Sequence, residues 1–140
     1  PKTVHESSLS SCIHAILAAK LNKMDKAYEL YLRTSRLDLD DYNQEANEGL
    51  HITSMAGTWL SVIEGFAGIL VKKQQLYINP KLPNEWKELT FNLVVNNNLL
   101  QIKINHNHFT VFNLGEEKIT FSHKDKWYDV LAHKVTHITF

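Results

Sequence analysis

One cysteine, Cys12, is all that the 140 residues hold, so no internal disulfide can form and a reducing compartment is expected. No charge of one sign is in surplus: 15 Lys+Arg meet 15 Asp+Glu, for a formal net charge of +0. Without a net field there is little to draw in nucleic acid or an anionic membrane surface, and neither is expected as a partner. No apolar run reaches the ~18 residues that span a bilayer, and no charged segment leads into an apolar one at the N-terminus. A cytoplasmic location follows as the expectation. An initiator methionine is also lacking, since Pro1 to Glu6 runs straight into a helical pattern; the expectation is a piece of a longer polypeptide. What is present, 44% hydrophobic and 21% charged residues, is enough to bury a core.

The pattern is organised around residues 38–59. A polar, acidic loop beginning at Asp38 runs through Gly49 into His51, and Thr53-Ser54 then leads into a nearly all-apolar helix. Loops of this kind on a rigid scaffold carry chemistry, and the amides that open a helix form a ready anion pocket. Before it, Ser7 and Ser8 are good caps for a first helix whose Leu9, Cys12, Ile13, Ile16, Leu17 and Leu21 recur at helical spacing. Its other face, with Ser10, Ser11, His14, Ala15 and Ala18, is small as much as polar, so the helix can be packed on two sides. Asn22 suits a left-handed stop. A second, amphipathic helix is predicted from Met24 to Leu37, with Met24, Ala27, Tyr28, Tyr31, Leu32 and Ser35 on its stripe. The short link makes the two an αα-hairpin. The third helix, from near Ser54, is apolar on almost every side and so reads as an inner helix of a larger assembly. Gly57 and Gly65 weaken it by roughly 1 kcal/mol each, which implies close approach by another helix or a ligand.

After Gly68 the period changes from 3.6 to 2. Ile69/Val71 and Leu76/Ile78 flank a hairpin turn, and Pro80, Pro83 and Trp86 make a rigid corner. Leu89 to Val95 alternates, Asn96-Asn97-Asn98 turns the chain, and Leu100/Ile102/Ile104 returns it. Phe109/Val111, Ile119/Phe121, Trp127 to Leu131 and Val135 to Phe140 read as further strands. Helices followed by strands give an α+β chain, with a helical part over residues 1–68 and an antiparallel β-sheet or sandwich domain over 69–140.

Four stretches in this order resemble a known family: Thr3 to Ser10, Ala27 to Thr34, Leu37 to Asn43 and Gly49 to Trp59. They are similar to the inverting α-glucoside phosphorylases, in the maltose phosphorylase branch; the family also contains trehalose, kojibiose and nigerose phosphorylases. The specific motifs cover about residues 1–87, and through the strands only the pattern agrees. The resemblance implies that residues 1–68 are the last helices of an (α/α)6 catalytic barrel and that 69–140 form the C-terminal β-sandwich domain. Ser11, Ala67 and residues 44–47 depart from the family's wording, which touches sugar specificity more than the reaction.

The implied reaction is phosphorolysis of an α-linked glucose disaccharide, maltose foremost. A carboxylic acid protonates the glycosidic oxygen and inorganic phosphate attacks the anomeric carbon from the opposite face. Inverting hydrolases place a second carboxylate there to activate water; phosphate is already a nucleophile and needs a cradle instead. Ser7, Ser8 and His51 match the family's phosphate-contacting region and are the site residues it implies, with Lys2 a weaker candidate. The general acid lies upstream in the family, so Glu6, Glu45 and Glu48 take no such role and the chain by itself is expected to be inactive. No cofactor is expected, phosphate being a substrate; the partners are the disaccharide, phosphate, the upstream part of the same polypeptide and a second subunit of a homodimer.

Plainer readings stand beside these. His51 could be a buried histidine bonded within the loop, and Ser7 and Ser8 could be helix caps only. Asp38, Asp40 and Asp41 resemble an oxygen cluster for Ca²⁺ but lack the EF-hand spacing, so loop hydrogen bonding is the better expectation. His106 and His108 have no evident third ligand for Zn²⁺ and suit a solvated hairpin end. Trp86 and Trp127 could stack on a sugar but are expected to pack the sandwich. Cys12 reads as core. The alternative function is a non-catalytic β-sandwich module that binds carbohydrate or a protein partner.

Overall fold

The computed structural model describes residues 10–41, 47 and 49–140. By contacts the chain divides into two compact units, 1–66 and 67–140.

In the helical unit, α1 spans Ser10–Lys20 and α2 spans Met24–Ser35. The turn between them closes as expected, with Asn22 at φ 58° and the Lys23 amide donating to the Ala18 carbonyl (2.9 Å). A single helical turn, α3 (Leu37–Asp40), follows, and then α4 (Ile52–Leu60), which runs on into a π-helical segment, Ser61–Phe66. Neither α3 nor the π segment is legible in the apolar spacing, because one turn carries no period and a π turn keeps the residue types of an α-helix.

Two expected faces are corrected. Helix α1 buries its small side, Ser11, Cys12, Ala15, Ile16, Ala18 and Ala19, and leaves Ile13, Leu17 and Leu21 exposed. Small residues win because they let backbones approach closely: a Cβ on Gly57 would stand 2.7 Å from Cys12 Sγ, and one on Gly65 would lie 3.5 Å from Ile16 Cα. The close approach inferred at the two glycines is thus by helix α1. On α2 the buried stripe is Ala27, Leu30 and Thr34, one position round from the predicted one. Tyr31 meets Phe66 edge-on at 5.5 Å. Buried Ser61 donates to the Gly57 carbonyl (2.9 Å), with the Cys12 carbonyl at 3.3 Å as the alternative acceptor of the same proton.

The β unit has two four-stranded sheets. One runs β1 (Ile69–Lys72), β2 (Gln75–Ile78), β6 (Ile119–His123), β7 (Lys126–Val130); the other runs β3 (Glu88–Val95), β4 (Asn98–Asn105), β5 (His108–Asn113), β8 (Val135–Thr139). Every pairing is antiparallel save β2 with β6, a correction to the all-antiparallel reading. Three strands of the second sheet intervene between these two, and so long a crossover allows parallel entry where a hairpin would not. The inner faces meet in a core of Leu76, Ile78, Phe121 and Val130 against Leu100, Ile102, Ile104, Phe109 and Val111; Phe109 and Phe121 lie 6.1 Å apart. The β1–β2, β3–β4 and β6–β7 turns place Lys73-Gln74, Asn96-Asn97 and Lys124-Asp125 at positive φ. That is the primed geometry which matches the strand twist. Only the Asn pair advertises it.

Two buried asparagines fix the 114–118 loop. Asn98 Oδ1 accepts from the Glu117 amide (3.0 Å), while Asn113 Nδ2 donates to the Glu117 and Val130 carbonyls (2.7 and 3.2 Å) and its Oδ1 accepts from the Gly115 amide (2.9 Å). Asn113→Leu strips three bonds from a fully buried position. It should cost about 2–4 kcal/mol, read as a lower urea midpoint for the β unit by Trp127 fluorescence.

Candidate functional site

The site is built at the start of α4. Leu37 is buried and pins α3 beneath the end of α2. Arg36 clamps Asp40 with two bonds, Nε to Oδ2 (2.6 Å) and an Nη to Oδ1 (2.7 Å), a bidentate i,i+4 pair that holds the turn. The turn ends at Asp41, in the left-handed region at φ 46°. Asp38, within it, reaches across 13 residues of chain. Its Oδ2 accepts the His51 backbone N–H (3.0 Å) and its Oδ1 accepts from the His51 imidazole Nδ1 (2.6 Å).

His51 is therefore tied at two points by one carboxylate. Its own carbonyl accepts from the Ser54 and Met55 amides (2.8 and 3.2 Å), so it caps the first turn of α4. Ser54, buried, donates to the Thr34 carbonyl (3.3 Å) and fixes that turn to α2. The imidazole edge given to Asp38 is Nδ1; Nε2 lies on the opposite edge of the ring. A carboxylate that orients an imidazole in this way keeps a proton on Nδ1 and fixes the direction of the ring. The two side chains are 21% and 17% exposed, so both still reach solvent.

Asp38 is held below the usual carboxylate range, first by the hydrogen bond from the His51 side chain; desolvation opposes this more strongly than the backbone bond or the imidazole charge adds to it, and the net direction is still down. A depressed folded value means that the tie stabilises the fold above the free carboxylate value of about 3.9 and is lost as pH falls through the lower, folded one. The Asp38 carboxyl resonance should accordingly titrate below that of a free aspartate. His51→Ala should return it to the ordinary range; an unchanged midpoint in the variant would separate the two residues.

Of the residues expected at the site, His51 is placed as described. Ser7, Ser8 and the weaker candidate Lys2 lie outside the described residues, as do Glu6, Glu45 and Glu48. Asp38 was legible only as a loop hydrogen-bonding residue, and its role as the imidazole's partner was missed; the signal was an acid shortly before a histidine at a helix start. Asp38 and Asp40 are engaged with His51 and Arg36. His106 Nε2 donates to the Trp86 carbonyl (2.7 Å), and Asn105 Nδ2 donates to His108 Nε2 (3.3 Å), so both imidazoles serve the β4–β5 turn. Cys12 is buried as expected. Among the described residues no helix is long and apolar enough to cross a membrane.

Comparison with known proteins bears on both units. Residues 1–60 match the model of the glycosyl hydrolase family 65 central catalytic domain, and residues 70–130 match that of the family's C-terminal domain. Maltose phosphorylase of Bacillus subtilis is 54% identical over 104 residues, covering 74% of this chain and 14% of that protein. An α,α-trehalose phosphorylase of Thermoanaerobacter brockii is 40% identical over 126 residues, 90% of this chain and 16% of that one. The solved structure of a candidate kojibiose phosphorylase from the human microbiome superposes with a TM-score of 0.90 at 31% identity, covering 100% of this chain and 20% of that chain. The chain thus spans about a seventh to a fifth of the length of the relatives it matches.

Proposed function

Since this chain belongs to glycosyl hydrolase family 65, we propose that it is the C-terminal part of a glycoside phosphorylase and supplies the phosphate side of its active site. The reaction is cleavage of an α-linked glucose disaccharide by inorganic phosphate. A carboxylic acid on the upstream part of the polypeptide gives its proton to the glycosidic oxygen. A phosphate oxygen attacks the anomeric carbon from the opposite face as the carbon–oxygen bond breaks, and β-glucose 1-phosphate and glucose leave. Maltose is the disaccharide we favour, because the maltose phosphorylase shares 54% of matched residues against 40% for the trehalose enzyme.

The observation that carries this reading is the double tie between Asp38 and His51. It aims an imidazole edge from the start of a helix, where backbone amides and the helix dipole favour an anion. Ser7 and Ser8 supply hydroxyl donors to the same phosphate, and His51, its Nδ1–H held by Asp38, meets the anion as an imidazolium through Nε2–H; no metal or cofactor is part of this proposal. The homodimer and the cytoplasmic location belong to the same proposal. The test is phosphate-dependent release of glucose from maltose by the full-length polypeptide, with and without His51→Ala. Unchanged phosphorolysis in that variant would remove His51 from the site.

A further inference from the structure

The β unit carries a second set of groups that phosphorolysis does not use. Strand register places Tyr77 opposite Ser122 and Ser122 opposite Trp127, a row across β2, β6 and β7. The neighbours Leu76, Phe121 and Val130 face the core, so this row is on the outward face. Ser122, small and buried between the two rings, lets them lean together with centroids 5.7 Å apart. Trp127 is nevertheless 50% exposed, which corrects the expectation that it packs the sandwich.

Trp127 forms one wall of an open cleft of about 400 Å³. The other lining groups include Gln74, Gln75, Asn96, Lys118 and Thr120. Gln75 accepts the Tyr77 hydroxyl proton (2.9 Å), and Asp129 accepts from Thr120 Oγ1 (2.7 Å) and Lys118 Nζ (3.0 Å). The Lys118 charge is thereby offset, and the cleft presents an aromatic ring ringed by net-neutral amides and a hydroxyl. A peptide or nucleic-acid ligand would be matched by apolar pockets or cations. A pyranose is matched by this set, since its C–H face lies on an indole and its hydroxyls exchange hydrogen bonds with amides.

We propose that this cleft is a saccharide-binding site that takes a pyranose unit, built from none of the residues of the imidazole site in the helical unit. It holds that unit against Trp127 and does not depend on the phosphate reading, since it uses none of the same residues. The aromatic ring gives the affinity, and Gln74, Gln75 and Asn96 give the orientation.

The test titrates the 140-residue chain with glucose, maltose and maltotriose while following the indole N–H resonances of Trp59, Trp86 and Trp127. Maltotriose should move the Trp127 signal and leave Trp59 and Trp86 in place. Trp127→Ala should weaken binding at least about tenfold, whereas Trp127→Tyr, which keeps a ring, should lose only about threefold. Gln75→Ala should weaken it while leaving the fold, checked by circular dichroism, unchanged. His51→Ala should have no effect here, so that failure of the active-site reading and failure of this one give different results. A Trp127 signal unmoved by tens of millimolar maltotriose overturns the proposal. So does one that moves with protein concentration in the absence of saccharide, which would make the face a contact between copies.

Discussion

In the full-length polypeptide, His51→Ala is expected to lower kcat/KM for phosphate by about 10²–10³, the loss that follows removal of one well-placed donor to developing or bound negative charge. Maltose affinity should change little, because the imidazole is proposed to hold the anion and not the sugar. Asp38→Asn gives the companion result. The carboxylate accepts two N–H groups, one from the ring and one from the backbone of His51. An amide has one acceptor oxygen, so its NH₂ must face one of those donors. The ring then loses its fixed direction, and a fall of about tenfold to a hundredfold is expected, the range for groups that orient a ligating histidine. Activity in Asp38→Asn equal to that of the parent would mean that the tie is structural only.

A substitution of opposite consequence in two settings tests the helical unit. Leu17 on α1 is 49% exposed, with Ile13 and Leu21 beside it, and on α4 Ile52, Met55 and Trp59 are exposed as well. Apolar surface of this extent on a small unit marks a face meant to be covered. In the proposed enzyme the covering is the upstream part of the catalytic domain. Leu17→Lys should therefore be neutral within about 0.5 kcal/mol in the 140-residue chain, the norm for a surface position. In the full-length polypeptide the same lysine would be buried without a partner and should cost about 3 kcal/mol or more. Thermal unfolding of both forms reads the difference, and equal effects in the two would leave the α1 face exposed in the enzyme.

Much of this could be read from the residues alone. Period-two alternation located every strand of the β unit, and Asn22 between α1 and α2 and Asn96-Asn97 between β3 and β4 marked turns because asparagine tolerates positive φ. Four motifs in the N-terminal part of the chain named the family, and one of them contained His51. Other features could be settled only by the folded chain. Which side of α1 is buried depends on how closely Gly57 and Gly65 let two backbones approach, and apolar spacing cannot rank a face of alanines above a face of leucines. The parallel β2–β6 pairing joins segments more than 40 residues apart. The Asp38–His51 tie closes a 13-residue gap that no period spans, and Trp127 shows its outward direction only once β6 and β7 are in register. Local patterns are written in neighbouring residues and so survive in the sequence. Partnerships between distant segments are chosen by packing, and for that reason appear first in the tertiary structure.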